Sequence, residues 1–270
     1  MGRRIGIIAG SGPFVAPAVS DLRRSGFRTI VLGIEGETRP GVKKSADVFT
    51  AVKPGALAKT LAFFKGNDTS EIVFLGKVGP EVIFRKDLLD PQARKLLKKV
   101  SERSATALLK AAFGLLEAGG LKVMNPASFL KFHFCSPGVL TRKTPSAEVL
   151  ADIDFGLRIA RRIADMEIGQ TLAVKGRAVI AVEGIEGTDR AIRRAGRLVG
   201  GGFVVAKAGR TAQDMRFDLP AVGFGTVKTL VHAGGAALGI EAGKVAFFLR
   251  EEALALADSC GVSIIVRALD

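Results

Sequence analysis

Apolar and polar positions divide this chain into short apolar runs separated by amphipathic stretches. RIGIIA (4–9), TIVLGI (29–34) and EIVFL (71–75) are nearly continuous apolar runs, each stopped by glycine or by acid and glycine. Such runs suit strands buried on both faces of a parallel sheet. Between and after them the pattern predicts helices over 14–24, 56–65, 88–99 and 104–118, the first opened by Pro13 and closed by Gly26, the last stopped by Gly119-Gly120. A further strand is predicted at 121–124. Strands alternating with helices imply a parallel sheet with right-handed crossovers.

Residues 125–145 hold Pro126, Pro137, Gly138 and Pro145 and no period, which marks an interdomain linker. Three segments result: an N-terminal domain at 1–130, a linker at 131–147 and a C-terminal domain at 148–270. Beyond the linker, a helix is predicted over 148–164. Strands at 172–174 and 178–182 flank a hairpin turn at Lys175-Gly176-Arg177. Thr188 is positioned to cap a helix over 189–198, with Asp189 at its positive end. Strands at 203–206, 244–249 and 262–266 alternate with helices at 225–233 and 251–259. The fold class is therefore α/β, with a parallel-sheet N-terminal domain and a C-terminal mixed α/β domain.

Composition adds to this picture. With 48% hydrophobic and 24% charged residues over 270 positions, the chain can build two packed cores. Its formal charge of +14 predicts an anionic partner, whether phosphorylated substrate, lipid surface or nucleic acid. The cations are spread over most predicted helices rather than gathered in one arm, which argues against a dedicated nucleic-acid tail. Cys135 and Cys260 form no paired motif and fit a reducing compartment. The N-terminus does not read as a signal peptide, and no apolar run reaches membrane-spanning length.

Two regions carry candidate chemistry. Gly10-Ser11-Gly12 follows a strand and opens a helix, the context in which helix N–H groups bind phosphate; Val15 stands where a dinucleotide fingerprint needs its third glycine. The alternative is a turn that only reverses the chain. Glu35 could hold a ribose in a nicotinamide site. Lys77, at the end of the third strand, meets a phosphate or is a solvated loop lysine. His133 and His232 match no metal or nucleophile motif, and His133, in the apolar KFHFC, reads as structural. The second region is residues 176–220. It delivers Glu183, Glu186, Asp189, Asp214 and Asp218 with Thr188 and Lys207 from strand ends and loops. Carboxylates so placed suit a hard cation such as Mg²⁺ bridging to phosphate, or else are ordinary caps and surface acids.

The stretches IGIIAGSGPF, ADIDFGLRIARRIADMEIGQTLAVKGRAVIAVEGIEGTD, VVAKAGRTAQDMRFDLPAVGFGTV and GVSIIV resemble the LpxI family of UDP-2,3-diacylglucosamine pyrophosphatases. The resemblance covers nearly the whole chain, the C-terminal half more closely, and EGTD and DLP make it specific. It implies an N-terminal Rossmann-like domain closing with a C-terminal domain on the ligand. The implied reaction is Mg²⁺-dependent hydrolysis (with Mn²⁺ as the alternative ion). Water attacks the α-phosphorus of UDP-2,3-diacylglucosamine to give 2,3-diacylglucosamine 1-phosphate (lipid X) and UMP. A cytoplasmic enzyme of lipid A synthesis, peripheral at the inner-membrane surface and homodimeric, is the implied setting; nucleic acid is not an expected partner. The family's essential aspartate maps to Asp218. On this basis Asp218, Asp189 and Lys207 are expected to be catalytic, and Asp218, Asp189 and Glu183 to hold the metal. Gly10, Ser11, Gly12, Lys77 and Thr188 are expected to contact substrate. The family pattern has an asparagine where this chain has Lys77. Two other classes remain open: a dinucleotide-dependent oxidoreductase built on the first domain, and a non-catalytic basic protein binding nucleotide or lipid.

Overall fold

The computed structural model describes residues 3–78, 91, 94–95 and 105–269. The helix predicted over 88–99 lies largely outside the described residues. The chain forms two compact units. One is Met1–Lys131 together with Asp214–Leu219; the other is Phe132–Gln213 with Pro220–Asp270. Residues 214–219, placed with the C-terminal half on sequence, thus belong to the first unit. The reason is apolar: Phe217 is buried in the first unit's core among Phe74, Phe113 and Leu116.

In the first unit β1 (Arg4–Ala9), β2 (Arg28–Ile34), β3 (Val48–Val52), β4 (Glu71–Leu75) and β5 (Lys122–Val123) form one parallel sheet in the order β3-β2-β1-β4-β5. This is the Rossmann order, with the crossover direction reversing between β1 and β4. Helices α1 (Val15–Arg24), α2 (Gly41–Ser45), α3 (Leu57–Gly66) and α4 (Ala105–Ala118) connect the strands. Most residues that β1, β2 and β4 bury are Ile, Val, Leu and Phe, as their apolar runs require, with Gly6, Ala9, Thr29 and Gly33 among them. β3 had no such signal because, as an edge strand, it buries none of its residues fully.

The second unit holds a mixed sheet in the order β6-β13-β11-β9-β7-β8. Its strands are β6 (Gly138–Val139), β7 (Thr171–Lys175), β8 (Ala178–Val182), β9 (Val204–Lys207), β11 (Ala237–Glu241) and β13 (Ser263–Arg267). A separate pair joins β10 (Ala221–Gly223) to β12 (Ala246–Phe248). Helices are α5 (Ala147–Asp165), α6 (Thr188–Val199), α7 (Phe224–His232) and α8 (Arg250–Ser259). Residues 138–139, inside the expected linker, pair with β13 as an edge strand.

The β7–β8 hairpin turns at Gly176 and Arg177, both near φ +58° to +59°, the geometry of a type I′ turn. Arg177 pays the strain of that conformation, and the Asp152 carboxylate steadies it by accepting from both turn N–H groups at 2.8 and 2.6 Å. β11 had no sequence signal because glycine interrupts it. A Cβ on Gly239 would lie 2.5 Å from Ile153 of α5, so the glycine lets helix and sheet touch. No helix among the described residues is long and apolar enough to cross a membrane.

Candidate active site

In the first unit, the reversal between β1 and β4 is where open α/β sheets bind ligands, at the carboxyl ends of the strands. The loops leaving those two strands are zipped together there. Ser11 N–H donates to the Lys77 carbonyl at 2.7 Å, Lys77 N–H donates to the Ser11 carbonyl at 2.9 Å, and Ser11 Oγ donates to the Lys77 carbonyl at 2.9 Å. The approach requires glycine on both sides: a Cβ on Gly10 would sit 2.4 Å from the Lys77 carbonyl oxygen, and one on Gly76 2.5 Å from that of Ser11. Gly12, at φ +135°, then directs the chain into α1, whose N-terminus has no side-chain cap. Gly10, Ser11, Gly12 and Lys77, selected separately on sequence, are thus one structure, and the Lys77 side chain is exposed beside it.

Asp218 also belongs to this unit. Its neighbours Phe217 and Leu219 are buried, while Asp218 itself is half-buried. The turn before it is fixed by Asp214, whose carboxylate receives the Arg216 guanidinium at 3.0 and 2.8 Å and the Arg216 N–H at 3.1 Å. Those bonds from Arg216 hold the Asp214 carboxyl below the usual aspartate range. Arg216 in turn lies over the Phe217 ring, 5.1 Å from its centroid. The residue preceding Asp218 is therefore gripped from two directions.

The second unit assembles a polar cluster at one end of its sheet. Lys207 ends β9 and Thr171 begins β7, and the two stand opposite each other in antiparallel register, so their side chains share a face. Lys207 Nζ donates to Thr171 Oγ1 at 3.1 Å and to Thr188 Oγ1 at 2.9 Å. Thr188 Oγ1 donates to Glu183 Oε1 at 2.8 Å, and Glu183 Oε2 lies 3.9 Å from the ammonium. Glu183 follows β8, and its N–H donates to the Thr171 carbonyl at 2.8 Å. Both charged side chains are buried, each with 4% of its side-chain surface exposed. A buried pair of this kind is tolerated because each charge has a partner and further hydrogen bonds.

Thr188 does not cap α6. The cap position is Gly187, at φ +86°, and Thr188 is the first helical residue, its hydroxyl turned to Glu183 and Lys207. Asp189 is half-buried in the helix's first turn. Among the described residues no three His, Cys, Asp or Glu side chains converge as a metal-holding group. Sequence reasoning missed Thr171; only the β7–β9 register places it against Lys207. What the cluster offers chemically is a half-buried hydroxyl, Thr188, oriented by a buried ion pair, next to the positive end of a helix.

Both units match models of one family. The LpxI N-terminal domain model matches residues 4–133 and the LpxI C-terminal domain model residues 136–265. A curated relative from Caulobacter vibrioides, named UDP-2,3-diacylglucosamine pyrophosphatase LpxI, is 28% identical over 275 residues, covering 97% of this chain and 97% of the relative. Among solved structures, glycinamide-RNase-transformylase T from Mycobacterium tuberculosis is 12% identical, with 67% of this chain and 44% of that chain covered and a TM-score of 0.24. The N5-carboxyaminoimidazole synthetase from Staphylococcus aureus, solved with ADP, is 16% identical, with 64% and 38% covered and a TM-score of 0.25. The chain spans less than half the length of these two. With one family's two domain models meeting end to end along it, this chain belongs to the LpxI family.

Proposed function

We propose that this chain hydrolyses the diphosphate of UDP-2,3-diacylglucosamine in lipid A synthesis. The observation that carries this reading is the likeness along 97% of both chains to a relative named for that activity. Water attacks the α-phosphorus; a new P–O bond forms as the bond from that phosphorus to the bridging oxygen breaks. Water's oxygen ends in UMP, the bridging oxygen leaves with lipid X, and one proton is released.

Asp218 is the residue we assign to orient the attacking water and take its proton, since it is a half-buried carboxylate on a turn held rigid by its neighbours. Thr188 is assigned to donate to a phosphate oxygen. Lys207 acts through it as a positioning residue, because its ammonium is buried behind two threonine hydroxyls. Gly10–Gly12 and Lys77 are assigned to the nucleotide or diphosphate, Lys77 as an exposed cation beside backbone that no Cβ obstructs.

The half-buried carboxylates Asp218 and Asp189 have the hard oxygen donors that suit Mg²⁺ or Mn²⁺. Glu183 completes the proposed set: its Oε1 accepts from Thr188, and its Oε2 lies 3.9 Å from the Lys207 ammonium. A bound divalent ion supplies neutralisation of diphosphate charge. Peripheral attachment to an anionic membrane, favoured by the +14 charge, and a homodimeric state complete the reading.

The test is a radiolabel assay with UDP-2,3-diacylglucosamine in ¹⁸O-water, with and without Mg²⁺, for wild type and Asp218→Ala. Metal-dependent lipid X and ¹⁸O-labelled UMP, both lost in the variant, are the expected result. Label in lipid X instead would place the attack on the other phosphorus, and an active variant would remove Asp218 from the chemistry.

A further inference from the structure

Helix α6 presents Arg190, Arg193, Arg194 and Arg197 outward, while its Ala191, Ile192 and Ala195 are buried. Arg194 is committed: it pairs with Glu186 at 3.0 Å and donates to the Val182 carbonyl at 2.6 Å. Arg193 and Arg197 are not. They stand one turn apart and line a groove of about 760 Å³ against α7, where Lys228 and His232, also one turn apart, form the other wall. Among the described residues neither these arginines nor Lys228 has an ion-pair partner, and the groove's lining contains no carboxylate. Thr229, 8% exposed, lines it too. His232 Nδ1 donates to the Lys228 carbonyl at 2.7 Å.

Close contact of the two helices makes the groove. A Cβ on Gly196 would lie 2.5 Å from the Ala233 carbonyl oxygen, so the C-terminal ends of α6 and α7 meet there. Cations at helix C-termini have an ordinary explanation, compensation of the helix dipole. Two dipole ends together amount to about one negative charge, whereas the lining carries three permanent cations. The groove therefore keeps a positive surplus. Arg193 and Arg197, like charges one turn apart on α6, also repel, and no carboxylate within the groove relieves them.

We propose that this α6–α7 groove is a binding site for a phosphate-bearing ligand. Arg193 and Arg197 supply forked guanidinium donors that match phosphate oxygens, Lys228 adds a point charge, and Thr229 adds a hydroxyl to the lining. The volume lies in the range of small-ligand sites. The phosphate can belong to a soluble phosphoanhydride or to the headgroup of an anionic lipid. Thr188 begins the same helix nine residues before Arg197, roughly 13 Å along its axis, so this site is separate from the hydroxyl–lysine cluster. The proposal stands whether or not the chain is a hydrolase.

The experiment measures binding of the full chain to inorganic pyrophosphate by calorimetry. In parallel it measures cosedimentation with phosphatidylcholine vesicles, plain or doped with phosphatidylglycerol, and binding of a duplex RNA oligonucleotide. Each is repeated with R193Q/R197Q and, on the opposite wall, with K228Q, after thermal melts confirm that the variants are folded. The expected result is roughly tenfold weaker binding in both variants. Weakening with pyrophosphate identifies a soluble ligand, and weakening with doped vesicles alone identifies a headgroup. The proposal is overturned if wild type binds neither phosphate source, if the folded variants bind as wild type does, or if only RNA binding depends on these side chains.

Discussion

Phe217 stacks on Phe113 of α4, with ring centroids 5.4 Å apart and planes 25° from parallel. This contact draws residues 214–219 out of the sequence neighbourhood in which they lie and into the first unit's core. It also sets the backbone of the adjacent Asp218. Phe217→Ala should cost about 3–5 kcal/mol, read as a lower urea midpoint for the first unit, and should reduce turnover. Phe217→Leu should recover most of both. Full activity in a destabilised Phe217→Ala would separate Asp218 from this packing.

Asp218→Asn keeps the shape of the side chain and removes its charge. Because Asp218 is half-buried rather than a core residue, melting should change little. The rate constant for hydrolysis should fall by about 10²-fold or more, the scale on which single catalytic groups contribute. Parallel melts and single-turnover rates check this.

Lys207 and Glu183 should behave as a unit. Removing one partner leaves a buried charge uncompensated, so Lys207→Met should destabilise the second unit by about 3–5 kcal/mol. Glu183→Gln/Lys207→Met should regain much of that stability and little activity, because Thr188 then has no ammonium to orient it. A double-mutant cycle in urea provides the measurement; additive single effects would mean the two do not interact.

Acid should weaken the turn before Asp218 through Asp214. Hydrogen bonds from Arg216 lower its carboxyl below the ordinary 3.8. A lowered folded-state value means that the stabilisation is present above the unfolded value and is lost as pH falls through the folded one. Wild type should lose more stability than Asp214→Asn on going from about pH 5 to about pH 2. Urea midpoints across that range test the sign.

Gly76→Ala should force apart the two loops at the reversal of the first sheet, since its Cβ would meet the Ser11 carbonyl oxygen and its φ is +105°. A loss of about 1–3 kcal/mol is expected. If Gly10–Gly12 and Lys77 contact substrate, KM should rise as well. A crystal structure of the variant and its kinetics would decide both points.

The alternation of apolar runs and helices was enough to read an α/β fold, because strands buried on both faces must be apolar throughout and glycine or proline must punctuate the turns. β1, β2 and β4, the hairpin at Gly176-Arg177 and the helix after Asp189 were all legible for that reason. β3 and β11 were not. One is a half-buried edge, and the other is interrupted by a glycine that serves a helix packed against it. The relevant glycines and polar residues could likewise be selected by type and position along the chain.

Their partners could not, because partnership depends on strand order and register, which no local pattern encodes. Only the pairing of β7 with β9 brings Thr171 to Lys207, and only the order β2-β1-β4 brings Ser11 to Lys77. Thr188 looked like a helix cap because its neighbours in sequence are helical; its hydroxyl instead serves an ion pair built from two strand ends. Local chemistry named the residues, and long-range packing, which lowers the free energy by burying Phe217 and pairing Glu183 with Lys207, decided what each one touches.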